Sequence, residues 1–208
     1  MTDDSFTVFL VDDDAGVLKA VSRLLRGRGY QVRSYASSRE FLAKHEADLP
    51  GCAVLDVAMP DLDGLALQQA LTAGDAPRPV IFITGKGDVP TSVRAMKAGA
   101  VDFLTKPVSD KVLLDAVARA VHQDAILRKV HAEVSAIRAK IDTLTPRERE
   151  VLGHVVAGRH NKQIAGDLGT VEKTIKVHRS RMMEKLGVRT VADLVRMAEK
   201  AGIFQTPT

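Results

Sequence analysis

The chain is 208 residues long, 45% hydrophobic and 27% charged, with a net charge of +4. That length allows two domains with their own cores, and the composition is an ordinary globular one. No apolar stretch approaches the roughly 20 residues of a membrane span. The acidic start MTDDSFTVFLVDDD is expected to lead into a strand, not to serve as a signal peptide, and the single cysteine, Cys52, excludes an intramolecular disulfide and fits a reducing cytoplasm.

The first half alternates strand and helix patterns. FTVFLV (6–11) has strand length, and 15–28 then carries Val17, Leu18, Val21, Leu24 and Leu25 at helical spacing, closed by Gly27 and Gly29. A second strand is expected at 30–36, followed by a short helix around 39–46 capped by Ser38. Strands follow at 52–56, with Cys52 a small buried residue, and at 80–84 and 101–105. Helices fit between them near 64–73 and 90–98. Five strands alternating with helices predict a parallel sheet covered on both faces.

From Lys111 the period changes. Leu113, Ala116, Ala120, Gln123, Leu127, Val130, Val134, Ile137, Ile141 and Leu144 form a heptad stripe with one polar member and no proline or glycine between 111 and 144. Its first two turns are expected to pack on the sheet domain. Nothing evident in the chain covers it beyond Gln123, so a self-associating coiled coil is expected there. Residues 145–202 read as four short helices: one begun by the cap and proline of TPRE and closed by Gly158, then 161–168, 170–186 and 190–201. The expected domains are 1–123, a helical linker at 124–143, and 144–208.

Charge follows the same division. Residues 1–123 hold 14 Lys+Arg against 16 Asp+Glu, a net −2, and residues 124–208 hold 16 against 10, a net +6. The basic part suits a polyanion partner.

In an open parallel sheet, functional groups collect beyond the carboxyl ends of the strands. The first strand delivers Asp12, Asp13 and Asp14 there, the third Asp56, the fourth Thr84 and the fifth Lys106 before Pro107. Carboxylates with a backbone carbonyl suit a hard cation such as Mg²⁺. The cation and Lys106 would neutralise charge on a phosphoryl group attached to Asp56, a carboxylate being a known nucleophile towards phosphate. Asp14 is expected to face solvent or to cap the following helix.

This set resembles the receiver domain of two-component response regulators, from about Phe6 to His122. The resemblance rests on Val11-Asp12-Asp13-Asp14, on Asp56-x-x-Met59-Pro60 with Gly64, on Thr84-Gly85, and on Gly99-Ala100 leading to Lys106-Pro107. It implies a flavodoxin-like five-stranded parallel sheet. It implies that Asp56 accepts phosphate from a phosphohistidine. Asp12, Asp13, Asp56 and the carbonyl of Ala58 would hold Mg²⁺ (or Mn²⁺). Lys106 would pair with a phosphate oxygen, on a strained or cis peptide to Pro107. Thr84 would move to the phosphate and Phe103 would swing inward behind it. Lys86 is expected to reach towards the phosphoryl group, while Ala58 leaves room for water.

LTPREREVL, NKQIAGDLG and VEKTIKVHRSRMMEKLGV are similar to the helix-turn-helix domain of the NarL/FixJ (LuxR-type) regulators, with FixJ-type regulators the nearest likeness. On the third of these helices Val171, Ile175, Met182 and Leu186 can face a core, leaving a basic face that fits the major groove. The resemblance implies that Lys176, Val177 and Ser180 approach base edges. Thr174, Arg179 and Arg181 would hold phosphates, joined by Asn161 and Lys162 at the start of the preceding helix. His178 either packs on that helix or touches the DNA backbone.

Together these imply a cytoplasmic transcription regulator, an activator and not an enzyme. A sensor histidine kinase phosphorylates it, it dimerises, binds paired promoter half-sites and works with RNA polymerase, away from any membrane. Relief of masking by the receiver is the alternative within the class. A phosphatase-like enzyme lacks a visible general acid, and the acid, threonine and lysine set argues against a phosphate-independent DNA-binding protein. Other patterns carry no chemistry. Asp61-x-Asp63-Gly64 does not follow a strand, Gly85-x-Gly87 lacks a third glycine, and the six histidines have no metal spacing.

Overall fold

The computed structural model describes residues 6–46, 48–60, 62–73, 77–85 and 88–202. The chain divides into two compact units, 1–129 and 130–208.

The first unit is built from β1 (Thr7–Val11), α1 (Ala15–Arg26), β2 (Gln31–Tyr35), α2 (Ser38–Lys44), β3 (Gly51–Leu55), α3 (Gly64–Ala73), β4 (Val80–Thr84), α4 (Val89–Lys97), β5 (Asp102–Thr105) and the start of α5 (Asp110–Asp142). All strand pairs are parallel and the order is β2-β1-β3-β4-β5. The three inner strands are buried at every residue, which is why they read as continuous apolar runs. Alternate residues feed two cores. Val8, Leu10, Cys52, Val54, Ile81 and Ile83 pack with Leu25 of α1 and Leu113, Ala116, Val117 and Ala120 of α5. Phe9, Val11, Ala53, Leu55 and Phe82 pack with Phe41 of α2, Leu67 of α3 and Ala95 of α4. Cys52 is fully enclosed, and burial pushes its thiol up to about 12, so it is inert near neutrality.

Helix starts follow the side chains that satisfy their free amides. Asp14 caps α1, accepting from the amides of Gly16 and Val17 at 2.7 and 3.2 Å. The cap of α2 is Ser37, not Ser38: Ser37 accepts from the Glu40 amide at 3.1 Å, and Ser38 lies inside the helix with its side chain buried. Both serines fit a cap, and the buried acceptors available to Ser38 decide between them.

α5 is one unbroken helix of 33 residues. Its early stripe residues enter the sheet core as expected. Near residue 124 a polar anchor takes over. Asp124, 4% exposed, accepts from Arg128 Nε at 2.8 Å and from the Gly51 amide at 3.3 Å, and Arg128 donates further to the carbonyls of Asp48 and Leu49. The expectation that nothing covers the stripe beyond Gln123 is corrected at its far end. Ile141 and Leu144 are buried in the core of the second unit, with Ile137 packed against them. Ile126 and Val130 remain half exposed between these two buried stretches.

The second unit adds α6 (Pro146–Val156), α7 (Asn161–Asp167), α8 (Glu172–Leu186) and α9 (Val191–Lys200). Val151, Leu152 and Val155 of α6, Ile164 of α7, Ile175, Met182 and Leu186 of α8, and Leu194 and Ala198 of α9 share its core. Thr145 and Glu148 form a reciprocal capping box at α6. Gly187, at φ +71°, ends α8 in the left-handed conformation that glycine adopts without strain. The sequence pattern places Val171 in this core, but it is 65% exposed, because α8 begins at Glu172 and not at residue 170, which makes Val171 the N-cap.

Candidate functional site

Between β1 and β3 the strand order reverses, opening a crevice at the carboxyl ends. The loops there are pinned by the ladders beneath them. The Asp12 amide donates to the Tyr35 carbonyl, the Asp56 amide to that of Val11 at 2.9 Å, and the Lys106 amide to that of Thr84 at 2.8 Å. These bonds hold Asp12, Asp56 and Lys106 at the carboxyl ends of β1, β3 and β5.

Lys106 joins them. Its Nζ lies 2.8 Å from Asp12 Oδ2 and 2.9 Å from Asp56 Oδ1. Asp12 is 2% and Asp56 6% exposed. Each acid turns its other oxygen to a nearby amide: Asp12 Oδ1 accepts from Asp14 at 2.9 Å, and Asp56 Oδ2 from Ala58 at 2.6 Å. Burial works to lower the Lys106 pKa, but its hydrogen bonds to Asp12 and Asp56 outweigh that and leave it raised. The ammonium is therefore charged, and two carboxylates facing one ammonium leave a net negative pocket. The peptide between Lys106 and Pro107 is cis, as expected.

Thr84 is fully buried at the end of β4. Phe103 is half-buried on β5, its ring 5.9 Å from that of Phe82. Asp13 is exposed beside Asp12. Among the described residues no three of His, Cys, Asp and Glu stand together as a ready metal-binding group. The donors do fit a hard cation chemically. The carboxylates of Asp12, Asp13 and Asp56 and the carbonyl of Ala58 are all oxygens, on the two loops that flank the crevice. Lys86 lies outside the described residues, as do Asp61 and Gly87.

Gly64 shapes the site from below. A Cβ there would stand 2.3 Å from the Asp56 carbonyl oxygen and 2.9 Å from the Phe82 ring. Only glycine lets the start of α3 pass this close to the acid.

On the second unit, Lys173, Lys176, Val177, Ser180 and Arg181 form the exposed face of α8, with Thr174, His178 and Arg179 half-buried beside them. Lys162 is exposed at the start of α7. Asn161 is tied to α8: its Oδ1 accepts from Arg179 Nη1 at 2.9 Å. Glu172 holds Lys176 at 3.0 Å, one turn along α8. Glu148 is 3% exposed and holds Lys185 Nζ at 2.6 Å, fastening the end of α8 to the head of α6. Sequence reasoning passed over Glu172 and Lys185; the i to i+4 spacing could have revealed the first, but nothing local reveals a pair 37 residues apart.

A basic helix-turn-helix unit that follows, along the chain, a doubly wound sheet with this acid and lysine crevice defines a two-component response regulator that acts on transcription. Residues 8–118 match the response regulator receiver domain, and residues 142–198 match the bacterial regulatory proteins of the luxR family. The chain belongs to the FixJ-type response regulators. It is 44% identical to nodulation protein W of Bradyrhizobium diazoefficiens over 201 residues, 97% of this chain and 88% of that protein. It is 42% identical to the transcriptional regulatory protein FixJ of Rhizobium meliloti, across 97% of this chain and 98% of that one. Among solved structures it resembles the response regulator StyR, with a TM-score of 0.70, 43% identity, and 94% and 99% of the two chains covered. Full-length FixJ from B. japonicum matches with a TM-score of 0.54 and 36% identity over 96% of this chain and 98% of that one. The two domains imply a sensor kinase as partner and DNA as target. Receiver domains generally bind Mg²⁺ at the phosphorylation site. Among the described residues no helix is long and apolar enough to cross a membrane.

Proposed function

We propose that Asp56 is the phosphoacceptor and that its phosphorylation brings two chains together on DNA as a transcriptional activator. The observation that carries this reading is the Lys106 ammonium held between Asp12 and Asp56 at 2.8 and 2.9 Å. A carboxylate oxygen of Asp56 attacks the phosphorus of a kinase phosphohistidine. The new O–P bond forms as the N–P bond breaks, and the imidazole leaves with that electron pair. Lys106, already charged and aimed at Asp56, then pairs with a phosphoryl oxygen. Asp12, Asp13, Asp56 and the Ala58 carbonyl would hold Mg²⁺ (or Mn²⁺), which when bound would supply neutralisation of phosphoryl charge. One Asp56 oxygen becomes the bridging atom of the acyl phosphate and loses its charge, while the other remains a carbonyl acceptor. Thr84 moves to donate a hydrogen bond from its hydroxyl to a phosphoryl oxygen, and Phe103 swings inward behind it. The local charge change thereby biases a two-state surface on α4, β5 and α5.

Apolar residues stand exposed on that surface: Val89 (74%), Val93 (45%) and Met96 (46%) of α4. They are the contact for a second copy. In each copy Lys176, Val177 and Ser180 read base edges. Thr174, Arg179 and Arg181, with Asn161 and Lys162, hold phosphates, so the dimer spans paired promoter half-sites. RNA polymerase is recruited there, and the protein works in the cytoplasm.

Phosphopeptide mapping after incubation with acetyl phosphate and Mg²⁺ tests the chemical step. One phosphoryl group on Asp56, absent from Asp56→Asn, is expected. Unmodified protein, or modification elsewhere, contradicts the reading.

A further inference from the structure

The loop after Asp56 supplies the amide that Asp56 Oδ2 accepts and the carbonyl assigned above to the cation. Something must fix that loop, because a shift there moves two groups of the site together. The first residue of α2 reaches it. Ser38 is fully buried, and its Oγ donates to the Leu62 carbonyl at 2.7 Å. The same oxygen lies 3.6 Å from Met59 Sδ. Met59 is itself buried, 7% exposed, in the core that holds Phe41 of α2. Ser38 thus bonds the loop beyond Ala58 while the Asp56 carboxylate bonds it at Ala58. A helix-capping role does not account for this, since Ser37 performs it.

We infer that Ser38 is a positioning residue for the phosphorylation site, holding Met59 and Leu62 so that the Ala58 carbonyl and amide face Asp56. The inference rests on Asp56 being the phosphoacceptor. Its hydroxyl touches no reacting atom; it acts through Leu62 and Met59. A part-buried carbonyl that loses its donor turns towards another partner, and Leu62 and Met59 shift with it.

The test uses the full chain as wild type, Ser38→Ala, Ser38→Cys and Asp56→Asn. Cysteine keeps the volume but donates weakly, so it reports the lost hydrogen bond with packing retained. Isothermal titration with Mg²⁺ alone gives cation affinity. Initial rates with acetyl phosphate, followed by phosphate-affinity gel over a range of Mg²⁺ concentrations, give the half-saturating concentration and the saturating rate separately. In both Ser38 variants Mg²⁺ affinity is expected to weaken about fivefold, the size of one hydrogen bond. The half-saturating Mg²⁺ concentration should rise by the same factor, and the saturating rate should hold. A purely structural role would lower the melting temperature and leave Mg²⁺ affinity as in wild type; that result, in either variant, overturns the inference. If the wild type takes no phosphate on Asp56, the underlying reading fails instead.

Discussion

Glu148 sits at the head of α6, where its carboxylate completes the capping box by accepting from the Thr145 amide at 2.9 Å. It also receives Lys185 from the far end of α8. The hydrogen bond from Lys185 holds its pKa below the ordinary glutamate value, against the opposing effect of burial. A carboxylate depressed in the folded state adds stability above its unfolded pKa, about 4.3, and that contribution disappears as the pH falls through the lower folded value. Glu148→Gln should therefore cost about 2 kcal/mol at pH 7, the worth of a charged hydrogen bond. The gap to wild type should narrow below about pH 4. Urea melts of the two proteins at pH 7 and pH 3 measure this; an unchanged gap would refute the role given to the Lys185 pair. The capping box itself was legible in TPRE, because its partners are three residues apart. Lys185 was not, since only the folded α6–α8 contact brings it in. The α2 cap shows a second limit. Two adjacent serines satisfy the same local rule, and Ser38 was chosen wrongly because its true acceptor, the Leu62 carbonyl, is 24 residues away.

Among elements, the strands and the acids behind them were readable because they depend on local period. Buried parallel strands demand apolar runs, and those of β1 and β3 end where the candidate acids Asp12 and Asp56 begin. α5 was harder. Its heptad stripe is real, but two different cores consume its ends, and a single-sequence pattern cannot say which apolar residue serves which core. The start of the helical domain was set at residue 144 from the TPRE cap, and the burial of Ile141, 4% exposed, assigns part of α5 to that domain's core. A fragment of residues 130–208 should therefore be more stable than one of residues 144–208 by about 2 kcal/mol or more, the burial of one isoleucine side chain. Urea unfolding followed by circular dichroism compares them, and equal midpoints would show that α5 contributes nothing to that core. The exposed α8 face was legible from its basic residues, whereas Val171 was misplaced inward because its burial depended on where the helix began.

At the scale of the molecule, an acidic sheet unit and a basic helical unit share one chain, with the proposed phosphoacceptor in the first and the proposed DNA-reading face in the second. One small helical domain makes few phosphate contacts, so its affinity is modest. Pairing two of them raises apparent affinity through effective concentration, without any new contact to DNA. The account therefore requires that charge chemistry at Asp56 change the number of chains in the assembly. Size-exclusion chromatography with light scattering, with and without acetyl phosphate and Mg²⁺, on wild type and Asp56→Asn, tests this most directly. A monomer that becomes a dimer only when the wild type meets the phosphodonor is the expected result. A mass that does not respond, or an equal response in Asp56→Asn, would contradict it.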